Sequence, residues 1–343
     1  MTTGATGLES VLLPTLEPAA DHGRIARTTV EPPAAAAIAA GADPIIQVRS
    51  VVRDFGAVRA VDGVDLTVHS GELFGLIGHN GAGKSTLFRM MLGLLAPSSG
   101  EIEIDGCRSS ARNFRNVRRR IGFLPENVVL YDNLSALETL QFFARLKGVP
   151  ANACAPLLER VGLEGCGRRR VREFSKGMRQ RLGFAQAMLG DPRLLFLDEP
   201  TSGLDPEAIR HFYATLRELR ADGVTVVLSS HILAEIQERV DRLAVIARGR
   251  VQAVGSVSEL RDRADLPIRF EVRVATQHFA AIRDALGHLP VLSIEARGRH
   301  VAVQCRKDAK LAVIAALARL GDHIEDISVR EPSLEDVFFG ISE

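Results

Sequence analysis

The segment "GLIGHNGAGKSTLFRMMLGLL" (75–95) constrains this chain more than any other. An apolar run ends in a glycine-rich turn, and apolar residues then recur at helical spacing, so the reading is strand, turn, helix. The turn fits G-x-x-x-x-G-K-[ST] from Gly78 to Ser85. Gly81 and Gly83 let successive backbone N–H groups face one phosphate, and the helix N-terminus adds the positive end of its dipole. Lys84 reaches the outer phosphates, and the Ser85 hydroxyl is a ligand for Mg²⁺. Gly78, His79, Asn80, Gly81, Ala82, Gly83, Lys84, Ser85 and Thr86 are thus expected to form one nucleotide cradle, with His79 a spacer that acts through its backbone.

Such a cradle needs carboxylates beside it. "RLLFLDEP" (193–200) has four apolar residues of a buried parallel strand followed by two acids. Ligands of open α/β sheets bind beyond the strands' carboxyl ends. Asp198 is therefore expected to hold Mg²⁺, and Glu199 to polarise the water that attacks a γ-phosphate. A pair of surface acids in a turn explains the carboxylates but not the apolar strand before them.

In "FSKGMRQRLGFAQAML" (174–189), Met178, Leu182, Ala185 and Leu189 recur at three- and four-residue spacing, so a helix begins near Gly177. Ser175 and Gly177 lie at its N-terminal end, a second anion-binding geometry. One nucleotide needs only one cradle, so a spare N-terminus suggests a nucleotide shared between two copies.

Together these segments resemble the ATP-binding cassette (ABC) ATPases over residues 45 to about 255, in that family's motif order. The resemblance implies a P-loop α/β cassette with a helical subdomain, acting as an ATP- and Mg²⁺-dependent ATPase. It also implies a homodimer on a separate polytopic membrane subunit, peripheral at the cytoplasmic face of the cell membrane. Ser175, Lys176, Gly177, Met178 and Arg179 correspond to the family's signature, in a variant form. By the same resemblance Asp205 of "SGLDP" lies at the dimer seam, His231 contacts the γ-phosphate, and Phe55 stacks on adenine. Taken singly, Phe55 is equally a core residue and His231 a helix-start residue.

In "IGFLPENV" (121–128), Glu126 occupies the position where the family carries glutamine, which touches Mg²⁺ and the attacking water. A carboxylate keeps the oxygen acceptors and loses the N–H donors. Glu126 is read as an altered coupling residue and Mg²⁺ ligand, against a solvated acid at a strand end. Downstream, "SALETLQFFARLKG" (135–148) places Ser135 and Glu138 at capping-box spacing, and Leu137, Leu140, Phe143 and Leu146 on one face, part of which would meet the partner.

With 343 residues, two domains are expected. The expected division is an extension over 1–44, a cassette over 45–260 with its helical subdomain near 127–190, and a small unit over 265–343. The Ala- and Pro-rich extension ("TTVEPPAAAAIAAGADP", 28–44) reads as disordered and too acidic for a transit peptide. The last unit has the order βαβ–βαβ over 265–331, which fits a ferredoxin-like α+β fold. Lys plus Arg at 43 against Asp plus Glu at 42 gives no reason to expect a nucleic-acid partner. The basic clusters "RNVRRR" (115–120) and "RRRVR" (168–172) read as solvated faces rather than polyanion sites. No apolar run approaches the roughly 18 residues of a membrane helix, so the chain is expected to be soluble. Four separated cysteines suggest neither disulfides nor zinc.

Within the family, "GHNGAGK", "LPENV", "SKGMRQRLGFAQAML" and "PSLEDVF" resemble the ATPase subunits of Nos-type transporters, which support nitrous oxide reductase maturation. That implies a cargo linked to periplasmic copper centres. The 9 His, 5 Met and 4 Cys form no ligand clusters, so copper chemistry would belong to other subunits. A generic exporter ATPase for drugs, polysaccharides or lipids has the same motor with another cargo. A soluble ABC protein acting on ribosomes or DNA usually needs two cassettes or long arms, and neither is found here.

Overall fold

The computed structural model describes residues 43–264 and 266–331. The expectations for the extension up to residue 42 and for "PSLEDVFFG" after Glu331 lie outside the described residues.

β1 (Pro44–Phe55) and β2 (Val58–His69) form an antiparallel hairpin. β3 (Leu73–Ile77) is buried at every position and runs through the glycine turn into α1 (Lys84–Met91). β4 (Ser99–Ile104) and β5 (Cys107–Arg108) complete a first sheet in the order β2-β1-β4-β5. α2 (Phe114–Arg118) leads to β6 (Ile121–Leu124), followed by α3 (Ala136–Lys147), α4 (Cys154–Arg160) and α5 (Lys176–Met188). Then come β7 (Leu194–Leu197), α6 (Pro206–Ala221), β8 (Thr225–Ser230), α7 (Leu233–Ile236), β9 (Arg242–Ala247) and β10 (Arg250–Gly255). The second sheet has the order β10-β9-β3-β8-β7-β6, parallel except for β10.

This parallel sheet is buried on both faces, which is why its strands read as continuous apolar runs rather than alternating ones. Alternation reappears in what each side chain touches. Leu194 and Phe196 pack with the first sheet and α1, where Phe88 meets Phe196 edge-on at 5.4 Å. Leu195 and Leu197 face the opposite core, built with α3, α4, α5 and α6. The cassette is therefore three-layered, with the parallel sheet in the middle.

α3 carries both halves of the expected capping box: Ser135 accepts from Glu138 N–H and the Glu138 carboxylate accepts from Ser135 N–H. Its apolar face departs from expectation. Ala136, Thr139, Leu140 and Ala144 are the buried positions, Leu137 and Phe143 are half-buried, and Leu146 is 70% exposed. Ala136, Leu140 and Ala144, four residues apart, make the buried stripe, and Leu146 lies off it.

α8 (Val257–Ala264) connects to β11 (Ile268–Val274), α9 (Phe279–Leu286), β12 (Val291–Arg297), β13 (His300–Cys305), α10 (Lys310–Ala318) and β14 (Ile324–Arg330). These strands form an antiparallel sheet in the order β12-β13-β11-β14, with its own apolar cluster around Phe270, Ile282, Val303 and Leu317. β1 begins at Pro44, and a single 3-10 turn over Lys307–Ala309 leads into α10. The basic runs 115–120 and 168–172 are exposed except at their valines, and Arg120 pairs with Asp105.

Candidate functional site

Four segments far apart in the chain leave the same edge of the parallel sheet. The glycine turn follows β3, Asp198 and Glu199 follow β7, His231 follows β8, and Glu126 lies just beyond β6. Strand register brings them level: Ile77 pairs with Ser230, and Leu197 pairs with both Leu124 and Leu228. Carboxyl ends of parallel strands point their final peptide groups and loops one way, so chemistry collects there.

The turn is held open by its glycines. Gly83 has φ 107°, and a Cβ at that position would lie 2.5 Å from the Ala60 carbonyl. Gly249 N–H donates to the Ala82 carbonyl and accepts, through its own carbonyl, the Asp62 N–H, so the β9–β10 turn and the β2 strand brace the loop. No side chain caps α1, whose N-cap is Gly83, and its first turn carries no acid. Its leading N–H groups are thus available to an anion. A cavity of about 260 Å³ opens over them, lined by Ala60, the loop residues His79 to Thr86, Glu126 and Glu199.

Lys84 is buried, donates to the Gly78 carbonyl at 2.5 Å and lies 3.3 Å from Glu199 Oε1. That last contact is an ion pair outside hydrogen-bond geometry, so buried Oε1 keeps no hydrogen-bond partner. Glu199 Oε2 sits 2.8 Å from His231 Nδ1. That separation is a hydrogen-bond distance, so the imidazole and the carboxylate hold one another in place. Glu199 also has φ 47°, in the left-handed region that a non-glycine residue enters only when its surroundings force it.

Ser229 anchors the Glu199 backbone, and sequence reading missed it. Its hydroxyl accepts from Glu199 N–H at 3.0 Å and donates to Asp198 Oδ1 at 2.6 Å, so one side chain sets both neighbouring acids. Asp198 N–H in turn donates to the Leu124 carbonyl at 2.8 Å. The signal was the pair of hydroxyls ending the apolar run "VTVVLSSH" (224–231). Gln180, also missed, is buried and donates from Nε2 to the Pro200 carbonyl at 3.1 Å, tying α5 to the turn after Glu199. Behind the site Tyr213 is 3% exposed; burial, with the Glu235 and Glu199 carboxylates nearby, pushes its phenol well up.

The remaining expected residues fall elsewhere. Glu126 is exposed and lines the cavity. Phe55 is 47% exposed at the end of β1, which removes the core alternative; it does not line the cavity. Ser175 is the N-cap of α5 and accepts from Met178 N–H, and Asp205 is the N-cap of α6 and accepts from Ala208 N–H. Lys176 reaches across Gly203 to the Ser202 hydroxyl at 3.1 Å, joining the starts of those two helices. Ser175, Lys176, Gly177, Met178 and Asp205 are absent from the cavity lining, so within one copy they form a second, separate group.

Comparison with known proteins adds the following. Residues 61–202 match the family described as ABC transporter. The daunorubicin resistance ATP-binding protein DrrA3 of Streptomyces coeruleorubidus is 37% identical over 312 residues, covering 88% of this chain and 96% of that protein. The bacitracin transport ATP-binding protein BcrA of Bacillus licheniformis is 39% identical over 230 residues, 66% of this chain and 75% of that protein. Among solved structures, the dimeric bacterial ABC transporter cassette MJ0796 superposes with a TM-score of 0.57 at 25% identity, covering 62% of this chain and 98% of that one.

Proposed function

The chain belongs to the family of ABC transporter ATP-binding proteins, and on that premise we propose that it powers a separate membrane subunit exporting an antibiotic-like small molecule. It is an ATPase that uses ATP with Mg²⁺. The observation that carries the reading is Glu199, buried between Lys84 at 3.3 Å and His231 at 2.8 Å on the rim of the phosphate cavity.

Glu199 orients and deprotonates the attacking water, and Lys84 turns from it to the outer phosphates when nucleotide enters. His231 meets the γ-phosphate. The site suits a magnesium nucleotide on two counts: Glu199 Oε1 is buried without a hydrogen bond, and the candidate ligands Ser85, Asp198 and Glu126 all offer oxygen. Ser85, Asp198 and Glu126 would hold Mg²⁺, which neutralises charge on the phosphates when bound. Gly78 to Thr86 cradle the nucleotide, and Phe55 takes the adenine. Ser175, Lys176, Gly177, Met178 and Asp205 serve the nucleotide of a second copy, a reading supported by their separation from the cavity.

We place the cassette over 45–260 with its helical subdomain near 127–190, and the C-terminal unit over 265–343. The antiparallel order β12-β13-β11-β14, interleaved with α9 and α10, supports a ferredoxin-like reading of that last unit. Among the described residues no helix is long and apolar enough to cross a membrane. A polytopic partner supplies the pathway, and the homodimer sits on it at the cytoplasmic face of the cell membrane.

Similarity along 96% of a daunorubicin resistance protein favours a drug cargo. The narrower reading, copper-centre maturation of nitrous oxide reductase, rests on the phrases "GHNGAGK", "LPENV", "SKGMRQRLGFAQAML" and "PSLEDVF" together. Purifying the Glu199→Gln chain from native membranes with ATP, and testing cells that lack the chain for antibiotic sensitivity, separates them. A polytopic subunit with raised sensitivity supports export; nitrous oxide reductase maturation proteins with unchanged sensitivity replace the cargo. Ribosomes without any membrane partner would overturn the motor.

A further inference from the structure

One face of the Phe55 ring is already taken. The Arg53 guanidinium carbon lies 4.6 Å from the ring centroid, and Arg53 Nη1 donates to the Ala96 carbonyl at 2.9 Å. Arg53 Nε is buried without a hydrogen-bond partner, and Arg53 has no carboxylate pair among the described residues. A guanidinium withdrawn from water onto an aromatic face and a carbonyl is held there by the ring, and it holds the ring in return. Phe55 nevertheless stays 47% exposed, so its opposite face is open. Ala60, on the other strand of the same hairpin, lines the phosphate cavity.

We propose that Arg53 is a positioning residue for nucleobase recognition: it backs Phe55 so that the ring offers its free face to the purine of ATP. This rests on the reading of Phe55 as the adenine platform. Three effects act together. The cation fixes the ring before the base arrives, which removes an ordering cost from binding. It keeps water off the rear face. It also draws π-density toward itself, leaving the front face less electron-rich and a better stacking partner for a purine. Ala96 matters because its carbonyl fixes the guanidinium plane; a lysine would supply charge without that planar fork.

The consequence is selective. Loss of the guanidinium should weaken ligands that carry a base and spare the bare phosphate chain, whereas a merely structural role would weaken both alike. The test measures equilibrium binding of ATP and of inorganic tripolyphosphate to the full-length chain with Mg²⁺, for Arg53→Met, Arg53→Lys and Phe55→Ala, with thermal melts confirming folding. Arg53→Met should weaken ATP about three- to fivefold, the strength of an exposed cation–π contact, with tripolyphosphate unchanged. Arg53→Lys should recover part of the loss, and Phe55→Ala should lose at least about fivefold, as for a deleted stacking platform. Equal weakening of both ligands by Arg53→Met, or weakening of neither, overturns the role of Arg53 while an effect of Phe55→Ala preserves the platform. If Phe55→Ala leaves ATP binding intact, the platform reading fails and Arg53 falls with it.

Discussion

Replacing Glu199 by glutamine should separate ATP binding from ATP turnover in opposite directions. The change keeps the shape of a buried side chain and removes one charge. Lys84 lies 3.3 Å from Glu199 Oε1, with side-chain exposures of 6% and 11%. At an effective dielectric of about 20, unit charges at that distance attract by about 5 kcal/mol. Nucleotide must draw Lys84 away from this carboxylate, so part of that attraction opposes binding. If only a fifth survives desolvation and compensation, about 1 kcal/mol, ATP should bind about fivefold more tightly to Glu199→Gln. Turnover should fall by roughly 10²–10⁴, the usual worth of a positioned general base. Single-turnover phosphate release and ATP titration of the same preparation measure both. Turnover retained within about tenfold of the parent would refute the base assignment, and weaker ATP binding would refute the charge argument.

Gly83→Ala should abolish nucleotide binding and destabilise the fold by about 1–3 kcal/mol, because φ is 107° and the new Cβ would meet the Ala60 carbonyl at 2.5 Å; ATP titration and thermal melting check it. Arg242→Met should cost about 3–5 kcal/mol in denaturant, since it removes the cation from Glu72, whose side chain is 1% exposed and whose Oε1 accepts from Arg242 Nη1 at 3.1 Å, and leaves that buried charge with the His69 N–H at 2.8 Å. Adding Glu72→Gln should recover much of that loss. In a Tyr131→Phe chain, leaving Tyr213 as the remaining tyrosine, no phenolate absorbance should appear until the fold is lost, because burial and Glu235 push its phenol up. The folded state then keeps a proton that the unfolded state releases near pH ~10, so stability should fall as pH rises above that value. A phenolate signal that precedes unfolding would contradict this.

Local chemistry was readable because it is local. The phosphate loop, the strand before Asp198 and Glu199, the capping box of Ser135 and Glu138, and the helix after Ser175 each occupy a short window with its own periodicity or turn chemistry. Leu146 is exposed because a three-residue spacing drifts around a helix of 3.6 residues per turn, so of Leu137, Leu140, Phe143 and Leu146 only Leu140 falls on the fully buried stripe with Ala136 and Ala144. Ser229 was missed because a hydroxyl at the end of a strand has no meaning until its neighbours are known.

The sequence by itself determined the residue types and the order of the elements, since phosphate cradling and helix starts depend on backbone chemistry within a few residues. Only the tertiary structure decided that Gly83, Glu126, Glu199 and His231 meet at one sheet edge. It also decided that Arg53 backs Phe55, and that Ser175 and Asp205 stand apart from the cavity. Strand order and register are set by burial of the parallel sheet between two cores, a global optimum of apolar contact that no short window encodes.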